Sequence, residues 1–174
     1  MTRSSRRAGI AAALSASAGL AATVVAGCSS GPGPGAGWDR PQDGSLALAV
    51  PSGWDRTVPQ SGLWTTRWTD PSDSSSVLMT AQSVTAADVY QALDLAMNAA
   101  RAVTRGYRPV GERTALSDGS TLLARQDYQT SWPYESRGTT WAVGRGLQVA
   151  LVDLSGQEVT DSQVETVERW IELL

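Results

Sequence analysis

Residues 107–154 read YRPVGERTALSDGSTLLARQDYQTSWPYESRGTTWAVGRGLQVALVDL, and this stretch decides the fold class. Tyr107 to Leu116 is an extended run, and Asp118-Gly119 follows it. That dipeptide tolerates the left-handed backbone of a tight hairpin turn. Beyond it, Leu122, Ala124, Gln126 and Tyr128 alternate with Leu123, Arg125 and Asp127, as in a strand with two unlike faces. Trp132-Pro133-Tyr134 interrupts the alternation as a loop. Thr139, Trp141 and Val143 resume it, and Gly144-Arg145-Gly146 turns the chain into a last run, Leu147 to Leu154. Strands joined by turns this short are antiparallel neighbours.

Working outward, Leu46 to Val50 alternates as LALAV and enters a turn at Pro51-Ser52-Gly53-Trp54. Leu63 to Thr69 sets Trp64, Thr66 and Trp68 on one face, and Asp70-Pro71-Ser72-Asp73 turns it into a third strand, Val77 to Val84. The period then changes. Val89, Leu93, Ala96, Met97 and Ala100 fall at helical spacing within Ala86 to Arg105, and Val103 extends the stripe. Thr85 is the expected N-cap, with Asp88 three residues on, and Gly106 the expected stop. Val164, Val167, Ile171 and Leu174 mark one face of a closing helix that starts near Thr160 or Asp161. The predicted order is β-β-β-α-β-β-β-β-α. It describes an α+β fold, a mainly antiparallel sheet flanked by helices.

The N-terminus carries a different signal. Arg3, Arg6 and Arg7 precede an uncharged segment, Ala8 to Gly27, which is the layout of an export signal. The segment is rich in Ala, Gly and Ser, and it ends in Val25-Ala26-Gly27-Cys28. That ending resembles the lipobox of bacterial lipoproteins. The resemblance implies cleavage after Gly27 and lipid on Cys28, the single cysteine of the chain. The expected organisation is a signal peptide over 1–27, a lipidated Cys and Gly/Pro tether over 28–37 (CSSGPGPGAG), and one globular domain over 38–174. The expected location is the extracytoplasmic face of the cell membrane.

An apolar strand ending in V-P-S-G-W (Val50 to Trp54), the W-T-D-P turn (Trp68 to Pro71), a helix, a D-G hairpin and a closing helix resemble the PsbP-like α/β/α sandwiches. With the lipobox and tether, the chain resembles the actinobacterial LpqN/LpqT-type lipoproteins of that superfamily. The resemblance runs from about Leu46 to Leu174 and brings no catalytic residue with it. It implies a domain that binds partners, as the photosystem-associated and nuclear-transport members do.

Composition narrows the chemistry. The chain has no His, which excludes Ser-His-Asp and Cys-His catalysis. All 14 basic residues are Arg, so Lys nucleophiles, Schiff bases and the P-loop lysine are excluded too. Three of those arginines precede Cys28, leaving 11 against 17 acidic residues in the mature chain. That balance speaks against nucleic acid as a partner. Paired carboxylates such as Asp127 with Glu135 are the remaining hydrolytic option. Asp70 and Asp73 lack the spacing of a calcium loop and read as a turn. Trp64, Trp68, Trp141 and Trp170 are expected in or around the core. Trp132 and Tyr134 flank a proline in a loop and are the candidate partner-binding residues, as aromatic interface anchors. The reading is a non-catalytic binding or adaptor module for an envelope protein or amphiphilic ligand, a monomeric domain with no cofactor and no metal. Its alternative is an envelope hydrolase using carboxylates or an unusual Ser site.

Overall fold

The computed structural model describes residues 33–174. The signal segment, Gly27 and Cys28 lie outside the described residues. In chain order the elements are β1 (Trp38–Asp39), β2 (Gln42–Asp43), β3 (Leu46–Ala47), β4 (Val50–Pro51), β5 (Asp55–Thr57), β6 (Thr66–Thr69) and β7 (Val77–Ala81). Helix α1 (Val89–Val103) follows, then β8 (Arg108–Asp118), β9 (Thr121–Thr130), β10 (Ser136–Arg145), β11 (Gln148–Gly156), α2 (Asp161–Arg169) and β12 (Glu172–Leu173).

Seven strands form one antiparallel sheet in the order β5-β6-β7-β11-β10-β9-β8. The 107–154 stretch is its larger part. Asp118 pairs with Thr121 across a hairpin in which Gly119 takes φ +56°, a conformation a side chain would disfavour. Helix α1 carries the chain from central β7 to the far edge, and the meander from β8 to β11 returns it to β7's free side.

The two faces of the sheet differ. On one, Trp68, Leu78, Trp141, Val152 and Leu154 pack with Leu46, Leu48 and Val50 and with Val164 and Val167 of α2. On the other, Ala81, Ala124, Ala142, Val149 and Leu151 meet Val89, Ala92, Leu93 and Ala96 of α1. Sheet residues here are small, so the helix lies close. A Cβ on Gly144 would stand 2.7 Å from the Val89 methyl.

Several expected boundaries shift, each for a physical reason. The N-cap of α1 is Asp88, whose Oδ1 accepts from the Gln91 amide at 2.8 Å, and not Thr85. Val103 is exposed at the edge of a cleft, so the buried stripe ends before it. The Leu46–Val50 run is not a strand of the large sheet. It is buried on both faces and splits between β3, which pairs with β2 and β12, and β4, which pairs with β1. Helix α2 stops at Arg169, so Ile171 and Leu174 are not on it, and Leu173 enters β12 instead. Its start matches the reading: Thr160 caps it, and Gln163 completes a capping box.

Two polar anchors tie the layers on the α2 side. Buried Asp43 accepts from Thr66 at 3.0 Å, Thr80 at 2.5 Å and Arg56 at 2.8 Å, pinning the small sheet to the large one. Burial pushes its carboxyl up, yet hydrogen bonds from Thr80, Arg56, Gln82 and Thr66 together hold it below the ordinary range. The fully buried Trp141 ring donates from Nε1 to Glu168 Oε2 at 2.8 Å, and Arg125 reaches the same oxygen at 3.0 Å. Glu168→Ala would leave the indole N–H without that partner, so a loss of about 1–3 kcal/mol is expected in urea unfolding. Glu168→Gln keeps an acceptor and should lose less. Equal losses would show that the bond is not what matters.

Candidate functional site

Trp132, Pro133 and Tyr134 form the connection between β9 and β10, closed beneath by the Thr130–Ser136 hydroxyl pair at 2.6 Å. Both aromatic residues are 57% exposed, so the loop does not tuck them into the core. Arg105, beyond the end of α1, stands 5.8 Å from the centre of the Trp132 ring. Trp132, Pro133 and Tyr134 rim a cleft of about 680 Å3, a size usual for small-molecule sites.

The cleft opens under the C-terminal half of α1. The N-terminal half is pressed on the sheet, while Ala96, Ala99 and Ala100 present only methyl groups to the space beneath. Leu63, Trp64 and Met79 contribute apolar wall, and Arg67 a cationic one. Among the described residues Arg67 has no ion-pair partner, and its Nε donates to Thr69 at 3.1 Å.

At the floor lies Asp153, 3% exposed. It stands opposite Thr140 on β10 and Met79 on β7. Thr140 Oγ1 donates to its Oδ1 at 2.7 Å, and the Tyr128 hydroxyl to its Oδ2 at 3.0 Å. Tyr128 comes from β9 and must cross β10 to get there. It can do so because Gly138 lies in its path: a Cβ at that position would overlap the phenol ring. Tyr107, half-buried, lies against Tyr128 with ring centroids 4.8 Å apart. Its hydroxyl has no hydrogen-bond partner among the described residues and lines the cleft.

Burial pushes the Asp153 carboxyl up to about 6, although hydrogen bonds from Thr140, Tyr128 and Ser155 oppose the shift. No arginine pairs with it among the described residues. Burial and the nearby Asp153 charge raise Tyr107 to about 12, against a smaller pull from Arg101 and Arg113. Tyr128 rises for the same two leading reasons. Both phenols therefore stay protonated, and that of Tyr128 serves as a donor to Asp153. Sequence reasoning passed over Asp153. The signal was there: in QVALVDL it is a charge at the period-two position shared with Val149 and Leu151.

The other candidates are dispersed. Asp127 faces the α2 side, held by Arg125 at 3.0 Å and Thr139 at 2.7 Å. Glu135 lines a separate shallow depression with Arg108 and Arg137, so the two acids form no pair. Asp70 and Asp73 accept from the amides of Ser72 and Ser75, at 2.7 and 2.9 Å, which makes them turn formers. Among the described residues no cluster of three or more His, Cys, Asp or Glu could hold a metal ion. Gly144-Arg145-Gly146 ends β10 and turns into β11. Trp68 and Trp141 are core, Trp64 is a cleft wall, and Trp170 is half-buried beneath the Arg40 guanidinium at 4.9 Å.

The structure is similar to the solution structure of cyanobacterial PsbP (CyanoP) from Synechocystis sp. PCC 6803, with a TM-score of 0.65 at 16% identity, over 84% of this chain and 99% of that one. A crystal structure of a Pseudomonas aeruginosa protein of unknown function matches over 74% of this chain and 86% of that one, at 14% identity and a TM-score of 0.39. No family model matches the sequence. No curated protein matches it either. The fold is PsbP-like, an α+β sandwich of antiparallel sheet and two helices.

Proposed function

From the PsbP-like fold as premise, we propose that this chain is an envelope lipoprotein of the LpqN/LpqT type. Lipid on Cys28 holds it to the extracytoplasmic face of the membrane, and its domain is a non-catalytic binding module. The observation that carries the reading is the mainly apolar cleft beneath α1, with Trp132 and Tyr134 exposed at its mouth. Exposed aromatics beside a concave site offer large contact area at small entropic cost. A tether confines the domain to a layer beside the bilayer, which raises its effective concentration toward an envelope protein or amphiphile there. Support for binding over hydrolysis comes from Asp153: among the described residues no second carboxylate lines the cleft, and the chain has no His or Lys to activate a nucleophile.

The test is Trp132→Ala with Tyr134→Ala. Because both rings are exposed, the melting temperature should move little, while proteins or lipids co-purified with the wild-type chain from its native envelope are lost. An unchanged set of co-purified molecules would remove the loop from the binding surface. For the anchor, Cys28→Ala should abolish lipid labelling, since no other cysteine can accept it. Labelled Cys28→Ala protein would refute the lipobox assignment.

A further inference from the structure

Asp153 poses a problem that its hydrogen bonds do not solve. A carboxylate taken out of water is costly unless a cation compensates it. Its oxygens receive only hydroxyl donors, and none of the ion pairs among the described residues includes it. Arg67 shares its side of the sheet but stands two strands away, across Met79, with its Nε turned to Thr69. The acid nevertheless faces a cleft open to solvent, and five aromatic rings line that cleft: Trp64, Tyr107, Tyr128, Trp132 and Tyr134. Aromatic faces attract cations electrostatically, and organic ammonium groups are the usual guests of such surroundings.

Resting on the binding reading above, we propose that the cleft receives an organic ammonium group carried on an apolar body. Asp153 is its counter-ion, and the phenol rings of Tyr107 and Tyr128 supply the π faces beside it. The body of the ligand lies along the alanine wall of α1, and Trp132 and Tyr134 close over its outer end. The unpartnered Tyr107 hydroxyl can accept from an amine N–H or remain solvated beside a quaternary one. The ammonium can belong to a free amine or to a lipid headgroup.

The full chain, held in phosphatidylglycerol nanodiscs, would be titrated by calorimetry with hexyltrimethylammonium, hexanol and hexanoate, subtracting empty discs. The cation should bind saturably and roughly tenfold or more tighter than the alcohol. That preference should vanish in Asp153→Asn. It should also shrink in Tyr107→Leu and persist in Tyr107→Phe, which keeps the ring. Equal binding of cation and alcohol would overturn the proposal while leaving an apolar binding cleft in place. Tightest binding of hexanoate would overturn it in favour of Arg67 as the anchor. Failure of all three ligands to bind would sink the cleft as a binding site altogether. With phosphatidylethanolamine discs, a weakened apparent affinity for hexyltrimethylammonium identifies the headgroup as the source. An unchanged affinity identifies a free amine.

Discussion

Asp153→Asn is expected to raise the melting temperature by several degrees at pH 7.5, an unusual result for a fully buried polar residue. Burial sets the folded carboxyl at about 6, against 3.8 for the unconstrained group. Between those values the folded state holds a proton that the unfolded chain has released. This group's contribution is therefore complete below about pH 4 and is lost as the pH rises through 6. The difference corresponds to about 3 kcal/mol, at roughly 1.4 kcal/mol per unit. Asn carries no charge and avoids that loss. Its oxygen can still accept from Thr140, and the Tyr128 hydroxyl can turn to accept from its amide. Thermal unfolding of both proteins from pH 4 to 8 would check this: the advantage of Asn should grow with pH and level off above 7. A constant gap would mean that Asp153 is not titrating in this range. Asp43 has the opposite dependence, since its lowered carboxyl gives stability that disappears in acid. It is common to both proteins and cancels in the comparison.

Gly138→Ala should be the most damaging single methyl added to the sheet. The new Cβ would overlap the Tyr128 ring, whose hydroxyl is fixed on Asp153. Either the ring leaves, breaking that bond and opening the floor of the cleft, or β10 bends. A cost of about 1–3 kcal/mol follows, near the upper end because strand neighbours on both sides hold β10 in place. Tyr128→Ala alone should also be costly, by about 3–5 kcal/mol for a buried aromatic ring. The combination should cost clearly less than the sum, because the second change removes what the first collides with. Additive losses in denaturant unfolding would show that the strain lies elsewhere.

What was legible in the sequence follows the periodicity. From Arg108 to Gly156 alternation is clear in β9, and each turn of the meander has its own residues, Asp118-Gly119 and Gly144-Arg145-Gly146 among them, so the meander could be read with boundaries nearly right. The N-terminal part resisted for the opposite reason. Leu46 to Val50 is buried on both sides, and a continuously apolar run does not say which sheet it joins. At the C-terminus, Val164, Val167, Ile171 and Leu174 keep helical spacing across a helix that ends at Arg169. No Gly or Pro marks that end, and pairing of Leu173 with Leu46 competes successfully with another helical turn. Trp132 and Tyr134 could be singled out because a proline between two aromatics in a loop is a local feature. The cleft could not, since it exists only where α1 meets strands up to 60 residues away in sequence.

The three methyl groups of Ala96, Ala99 and Ala100 form a wall that works as a gauge. Nothing else in the fold depends on their being small at the last two positions, which are not fully buried. Single-codon changes to Val at Ala99 or Ala100 would narrow the bore under α1 without entering the core packed on the sheet, to which Ala96 belongs. One scaffold could thus be resized for guests of different girth while its stability is kept in a separate layer. Chains descended from a common ancestor would then diverge in diet far faster than in shape.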